Sequence, residues 1–358
     1  MKITYDNIIF SLQKAGGISI YWYELIKRLQ SKGNIFFFEK ANDNIFRKKL
    51  NIKTKNESKL PVKILRYLPF TRKLPERSIF HSSYYRVSLQ KDIVNITTVH
   101  DFTYELFRTG LPMYIHKWQK QFAIKRSDGI ICVSENTKKD LMKFYPKIEE
   151  TKIKVIYNGV GDEFVKLENA KEYLINEFEI LKEKKYILYV GDRSNYKNFN
   201  ITIEVLKKLN DYSLVVVGGK EFDDNEEKKL QDIKNRVFHF TGVESDKLNI
   251  LYNNAFCLLY PSSYEGFGVP VAEAMKAGCP VVSTNISSIP EVAGNAGLLV
   301  DEISVDNFIS QILKLENKEF RYKLIEKGLE QSKKFSWDKC FEETYSFYEY
   351  VWSKKFNK

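Results

Sequence analysis

At 358 residues the chain is too long for most single cores and fits two ordinary domains of roughly 150 residues or a little more each. Its composition, 43% hydrophobic and 29% charged, is that of a soluble globular protein, and no run of about 18 uncharged apolar residues offers a membrane span. A net charge of +11 invites an anionic partner, either nucleic acid or a membrane surface.

The opening MKITYDNIIF places Asp6 where a secretory signal would need its apolar stretch, so the expected location is the cytoplasm. KITY reads as a strand and GISIYWYELIKRLQSKG as a helix. Gly16 and Gly17 at its start either bring backbone N–H groups close to a ligand or merely make a tight turn. After the strand IFFFE comes the most basic part of the chain. Twelve Lys or Arg stand against three Asp or Glu between Lys40 and Arg77, with apolar groups such as LPVKILRYLPF between them. Such a mixture suits anionic headgroups at the inner membrane face, and it also suits a solvated basic loop. SIFHS is the next strand, followed by His81, Tyr84, Tyr85 and Arg86 in HSSYYR, groups of the kind that hold a sugar. NITTVHD ends a strand on His100 and Asp101; His100 is either a structural histidine or a ligand-facing one. DGIICVS, SENTKKDLMKFY and KIKVIYNG complete the first series of strand, helix and strand.

A polar connector, GDEFVKLENAKEY, precedes the second series. KKYILYV is a strand ending in GDRSNYKNF, whose Arg193 and Lys197 are the cations a diphosphate requires, or two solvated charges on a loop. NFNITIEVLKKL, SLVVVGG, RVFHFTG and SDKLNILYNNA follow as helix, strand, strand and helix, then FCLLYP as a strand. Next comes SSYEGFG, a loop, and VPVAEAMKAG, a helix. Glu265 precedes the helix start and Glu273 lies in its first turns, with Gly266 and Gly268 between. Exposed N–H groups at that start suit a phosphate, while carboxylates accept from sugar hydroxyls; acidic residues there are also simply stabilising. PVVST and AGLLVD are the last strands, and the aromatic tail SWDKCFEETYSFYEYVWSKKF is helical, with Ser336 as a plausible cap. The alternation means parallel sheets in two doubly wound α/β halves. Neither half carries a Gly-x-Gly-x-x-Gly fingerprint with its later acidic residue. The four cysteines, widely spaced in apolar patterns, read as reduced, mostly buried thiols.

Taken together, GGIS, HSSYYR, TVHD, VSENTKKDL, VIYNGV, GDRSNYKN, FTGVESDKL, EGFGVPVAEA and ISSIPEVAGNAGLLVD resemble the retaining glycosyltransferases of family four, in particular mannosyltransferases of bacterial surface polysaccharides. The resemblance implies the GT-B fold, two Rossmann-like domains facing a central cleft. Residues 1–162 would form the acceptor-binding domain, 163–340 the nucleotide-sugar-binding domain, and 341–358 a C-terminal helix packing back on the N-terminal domain. It further implies that Glu273 holds the ribose hydroxyls and Glu265 contacts hydroxyls of the transferred sugar. Arg193 and Lys197 would neutralise the diphosphate with the backbone at Phe267 and Gly268. His100 would approach the donor sugar, Gly17 would lie near the phosphates or the acceptor, and the loop around Val243 would receive the base. Ile20 departs from the pattern, which has an arginine after GGIS, and this touches acceptor identity rather than donor chemistry.

The expected reaction is transfer of a hexose, mannose from GDP-mannose being the first case, to a saccharide or lipid-linked saccharide acceptor. The protein's own cations would serve in place of a metal, no cofactor beyond the donor being required, and no nucleic acid is expected as partner. Two other readings stay open: a nucleotide-sugar epimerase of the same fold, and a non-catalytic protein that binds the membrane surface.

Overall fold

The computed structural model describes residues 1–357. They form two compact units, one made of Met1–Gly159 with the last helix, Trp337–Phe356, and the other of Val160–Ser336. The chain passes between units at 159/160 and 336/337, slightly earlier than the expected 162/163 and 340/341. Val160 and Ser336 pair in a parallel bridge, and Val160 N donates to the Phe335 carbonyl at 3.1 Å, which fastens both connectors to the second unit.

In the first unit seven parallel strands form one sheet: β1 (Ile3–Asp6), β2 (Ile35–Phe38), β3 (Thr54–Lys55), β4 (Ser78–Ser82), β5 (Ile93–Val99), β6 (Gly129–Cys132) and β7 (Ile153–Val155), in the order β3-β2-β1-β4-β5-β6-β7. The second unit has six: β8 (Tyr186–Val190), β9 (Ser213–Val217), β10 (Val237–Phe240), β11 (Cys257–Tyr260), β12 (Val281–Thr284) and β13 (Gly297–Val300), in the order β10-β9-β8-β11-β12-β13. Central strands such as YILYV and CLLY are buried at every residue, the continuous apolar run that a sheet covered on both faces requires. Each order reverses once, between β1 and β4 in one sheet and between β8 and β11 in the other. At such a reversal the connections leave to opposite sides and open a crevice beyond the carboxyl ends of the two strands.

The first core centres on Tyr21, Trp22, Leu25 and Ile26 of the helix Gly17–Leu29, packed with Phe347, Tyr348 and Val351 of the last helix. That last helix lies against β4, β5, β6 and the helix Gly17–Leu29. Buried polar groups fix its register: Tyr348 OH hydrogen-bonds Tyr5 OH at 2.8 Å and the Nδ1 of His81, whose Nε2 meets Thr98 Oγ1 at 3.0 Å. All four cysteines are free and buried. Among the described residues no helix is long and apolar enough to cross a membrane.

Candidate active site

The reversal point of the second sheet brings together the loops after β8 and β11. Asn198 takes a left-handed conformation (φ 52°) that ends the first loop and starts the helix Phe199–Lys208. Its side-chain amide donates to the Pro261 carbonyl at 2.8 Å and to Ser263 Oγ at 2.7 Å, while Ser263 N donates to the Tyr196 carbonyl at 2.7 Å. Laced in this way, the loops present Lys197 beside Glu265. The ammonium donates to Glu265 Oε1 at 2.8 Å and hydrogen-bonds Tyr260 OH at 3.0 Å; Tyr260 OH itself donates to Glu265 Oε1 at 2.7 Å. Burial alone would lower the ammonium's pKa, but Glu265, with Tyr260 and Tyr196, holds it well above the ordinary lysine range. Lys197 is therefore a fixed positive charge at any physiological pH.

Glu265 is also held through its backbone. Its carbonyl accepts from Ser287 Oγ at 2.7 Å and Ser288 Oγ at 2.9 Å, and its N–H donates to Ser287 Oγ at 3.2 Å. The helix Val269–Lys276 then begins at Gly268, whose φ of +92° excludes most side chains; a Cβ there would also come within 2.8 Å of Ile289 Cδ1. Phe267 is buried, its ring edge-on to Phe335 at 5.4 Å between centroids. Glu273, half-buried on that helix, accepts from Tyr252 OH at 3.0 Å. Burial raises its carboxyl to about 7, against the Tyr252 hydrogen bond, and the charge of Glu163 adds to the rise.

Arg193 leaves the same β8 loop but is turned elsewhere. Its Nε donates to Glu226 at 2.8 Å, and its terminal nitrogens bond the carbonyls of Gly218 at 3.4 Å, Lys220 at 2.6 Å and Glu221 at 2.9 Å. The guanidinium thus ties the loop after β9 to the helix Asp224–Leu230. Val243 is partly exposed between the edge strand β10 and the helix Ser245–Asn254, away from the β8–β11 reversal.

In the first unit, Gly17 is the first residue of its helix, and a Cβ there would meet open space. His100 follows β5 with its ring edge-on to Tyr21 at 4.9 Å. Burial lowers it to about 4, Asp101 opposing and Lys120 assisting, so it is neutral at pH 7. A cavity of about 240 Å³ at the β1–β4 reversal is lined by His100, Asp101, Tyr84, Tyr85, Arg66 and His116 among others. Two groups expected there are not available. His81 is wholly buried in the network with Tyr348 and Thr98. Arg86 is also buried: it pairs with Asp6 at 2.6 Å and Glu57 at 2.9 Å, and donates to the carbonyls of Leu68 and Pro69. The strand-end position invited a ligand role for both, but the side chains of a fully covered strand end point into packing as readily as into a crevice.

Sequence reasoning missed Tyr252, Tyr260, Ser287 and Ser288, the groups that orient the two glutamates. A tyrosine at the end of the apolar strand FCLLYP and a serine pair after PVVST were the available signals.

Residues 15–164 match the family model described as Glycosyltransferase Family 4, and residues 170–331 the one described as Glycosyl transferases group 1. The chain is 35% identical over 172 residues to the O-antigen chain mannosyltransferase B of Escherichia coli, covering 46% of this chain and 45% of that protein. It is 30% identical over 225 residues to the O-antigen chain mannosyltransferase RfbU of Salmonella typhimurium, covering 61% and 60%. The chain thus spans about half the length of the curated relatives it matches. Among solved structures, sucrose-phosphate synthase from Thermosynechococcus elongatus superposes with a TM-score of 0.76 at 16% identity over 99% of both chains. Anabaena Alr3699/HepE in complex with UDP and glucose gives 0.75 at 14% identity over 97% of this chain and 98% of that one. At such identities the likeness is one of fold.

Proposed function

The chain belongs to glycosyltransferase family 4, with the GT-B fold, and on that premise we propose that it moves a hexose from a nucleoside diphosphate sugar to a saccharide or lipid-linked saccharide in surface polysaccharide synthesis. The observation that carries this is the Lys197–Glu265 pair at the β8–β11 reversal, a cation and a carboxylate fixed where an open parallel sheet binds its ligand. Mannose is the proposed sugar because two relatives are named O-antigen mannosyltransferases, and GDP is its proposed carrier.

The diphosphate takes Lys197 as its counter-ion together with the start of the helix Val269–Lys276, and Glu265 accepts from hydroxyls of the transferred sugar. Glu273, steadied by Tyr252, accepts from the ribose hydroxyls. As the bond to the diphosphate breaks, charge grows on oxygens already facing Lys197, so stabilisation requires little reorganisation. The acceptor hydroxyl attacks from the same face, with configuration retained, and a phosphate oxygen takes its proton. His100 is neutral and hydrogen-bonds the donor sugar without acting as an acid. Arg193 contributes by holding the loop after β9, and reaches the diphosphate only by exchanging a carbonyl partner for it. Lys197 makes a divalent metal unnecessary. The protein acts at the inner face of an anionic membrane, where lipid-linked acceptors reside, with its basic residues, those of 40–77 included, turned to the headgroups.

The test is transfer from GDP-mannose and from UDP-glucose to saccharide acceptors in EDTA, with the anomeric configuration of the product read by NMR. An α-linked product from an α-linked donor is expected. Inversion would overturn the mechanism, epimerised or released sugar without a new linkage would favour the epimerase, and no turnover with either donor would leave a binding protein.

A further inference from the structure

The helix Leu111–Arg126 is packed with its polarity reversed as far as Lys120, after which Ala123 and Ile124 take the inner face in the ordinary way. His116, Gln119 and Lys120 are buried, while Leu111 is 70% exposed, Tyr114 64% and Trp118 60%. Two of the inward polar groups donate hydrogen bonds: Gln119 to the Arg66 carbonyl, and Lys120 to Glu105 at 2.8 Å and to the Asp101 carbonyl at 2.9 Å. The side chains of Glu105 and Lys120 are both wholly inaccessible, so the orientation is fixed by an ion pair that could not turn outward without leaving a charge unpaired. A surface helix facing water alone would carry the opposite arrangement.

The outward face is also free of negative charge. LPMYIHKWQKQFAIKR holds no acidic residue, and Lys117, Lys125 and Arg126 are exposed. Residues 111, 114 and 118 share one stripe at helical spacing, and Lys125 lies two turns beyond Trp118 on the same side. The Gln119 bond to Arg66 keeps the segment 60–67 alongside, where Leu60, Ile64 and Tyr67 are likewise exposed. Apolar groups that include Trp and Tyr, bordered by lysines that can extend to headgroups, match the boundary of an anionic bilayer. A two-fold contact with a second copy would set each cationic face against itself.

We infer that the helix Leu111–Arg126, continued by Leu60, Ile64 and Tyr67, is the surface with which this protein docks on anionic lipid. The inference rests on the membrane-side reading above and replaces a dispersed basic segment with one defined face. It places the cavity lined in part by Arg66 and His116 beside the lipid surface, since Arg66 lies in the segment 60–67 and His116 on the helix Leu111–Arg126.

The experiment is co-sedimentation of the full chain with large unilamellar vesicles of phosphatidylcholine with or without 30% phosphatidylglycerol, for the wild type and for the triple variant Leu111→Ser, Tyr114→Ser, Trp118→Ser. The wild type should bind the phosphatidylglycerol vesicles and be released by salt. The variant should bind them at least tenfold more weakly, with its melting temperature and its transfer to a water-soluble saccharide unchanged. Equal binding by variant and wild type would overturn the inference, as would a wild type that ignores both vesicles. A wild-type dimer that the substitutions dissociate would assign the face to a second copy instead, and loss of transfer to the soluble acceptor would assign it to the reaction. Absence of transfer by the wild type, with its vesicle binding abolished in the variant, would sink the transferase reading and leave the surface standing.

Discussion

The Lys197 ammonium and the Tyr260 hydroxyl converge on a single oxygen of Glu265, at 2.8 Å and 2.7 Å. The two groups, proposed above to serve opposite parts of the donor, therefore neutralise one another, and the side chains of both are about 12% exposed. On the proposed reading a bound donor would supply a diphosphate for the cation and hydroxyl donors for the carboxylate, so the pair would be replaced group for group rather than left unsatisfied.

It follows that Lys197→Ala and Glu265→Ala each lower kcat/KM by about 100-fold or more, the scale of losing a charge-stabilising contact in a transition state. The double variant should lose less than the sum of the two in free energy, because each single change already frees the other's partner. Steady-state transfer rates for the four proteins check this; strict additivity would show that the two residues act independently.

For Arg193 the expected first consequence is structural. Replacing it with Lys removes the planar fork that reaches Glu226 and the carbonyls of Gly218, Lys220 and Glu221, at a cost of about 1–3 kcal/mol. The urea midpoint should fall and the KM for donor should rise. A higher KM with an unchanged midpoint would place the guanidinium on the diphosphate instead.

Glu273 titrates at about 7, above the ordinary carboxylate value. Because the folded value is the higher one, its contribution to stability is complete below about pH 4.5 and is lost as pH rises through 7, up to about 3 kcal/mol. Glu273→Gln should accordingly stabilise the unliganded protein at pH 8 and leave it nearly unchanged at pH 4.5. If Glu273 holds the ribose as proposed, its ionised form is the one that accepts from the hydroxyls, so donor affinity should increase from pH 5.5 to 7.5 in the wild type and stay weak and flat in the variant. Calorimetric titration with GDP at several pH values reads this directly.

The Arg86 ion cluster predicts stability effects. Arg86 uses every N–H donor on Asp6, Glu57 and the carbonyls of Leu68 and Pro69. Arg86→Met strands two buried carboxylates and should destabilise the protein by about 3–5 kcal/mol, read as the loss of soluble protein or a large drop in urea midpoint. Arg86→Met together with Asp6→Asn and Glu57→Gln should recover part of it. A stable Arg86→Met with impaired acceptor binding would restore the sugar-binding role expected from HSSYYR.

The sequence by itself determined the two parallel-sheet halves and where Lys197, Glu265 and Glu273 stand along them. Apolar runs such as YILYV and CLLY are long enough to be buried strands, and the Gly-Phe-Gly turn before VPVAEAMK marks a helix start; both signals are local. The tertiary structure alone decided which strand ends adjoin. Only the order β9-β8-β11 puts Lys197 against Glu265, 68 residues apart in the chain. The same non-local packing sent Arg193 to Glu226 and Arg86 to Asp6 and Glu57, since a cation takes the nearest desolvated carboxylate and nothing in its own neighbourhood of sequence names it. The helix Leu111–Arg126 could not be oriented from its sequence for the same reason. Lys120 and Gln119 face inward because Glu105 and the Arg66 carbonyl wait there, and that contact, rather than any periodicity of the helix, turned Trp118 to the outside.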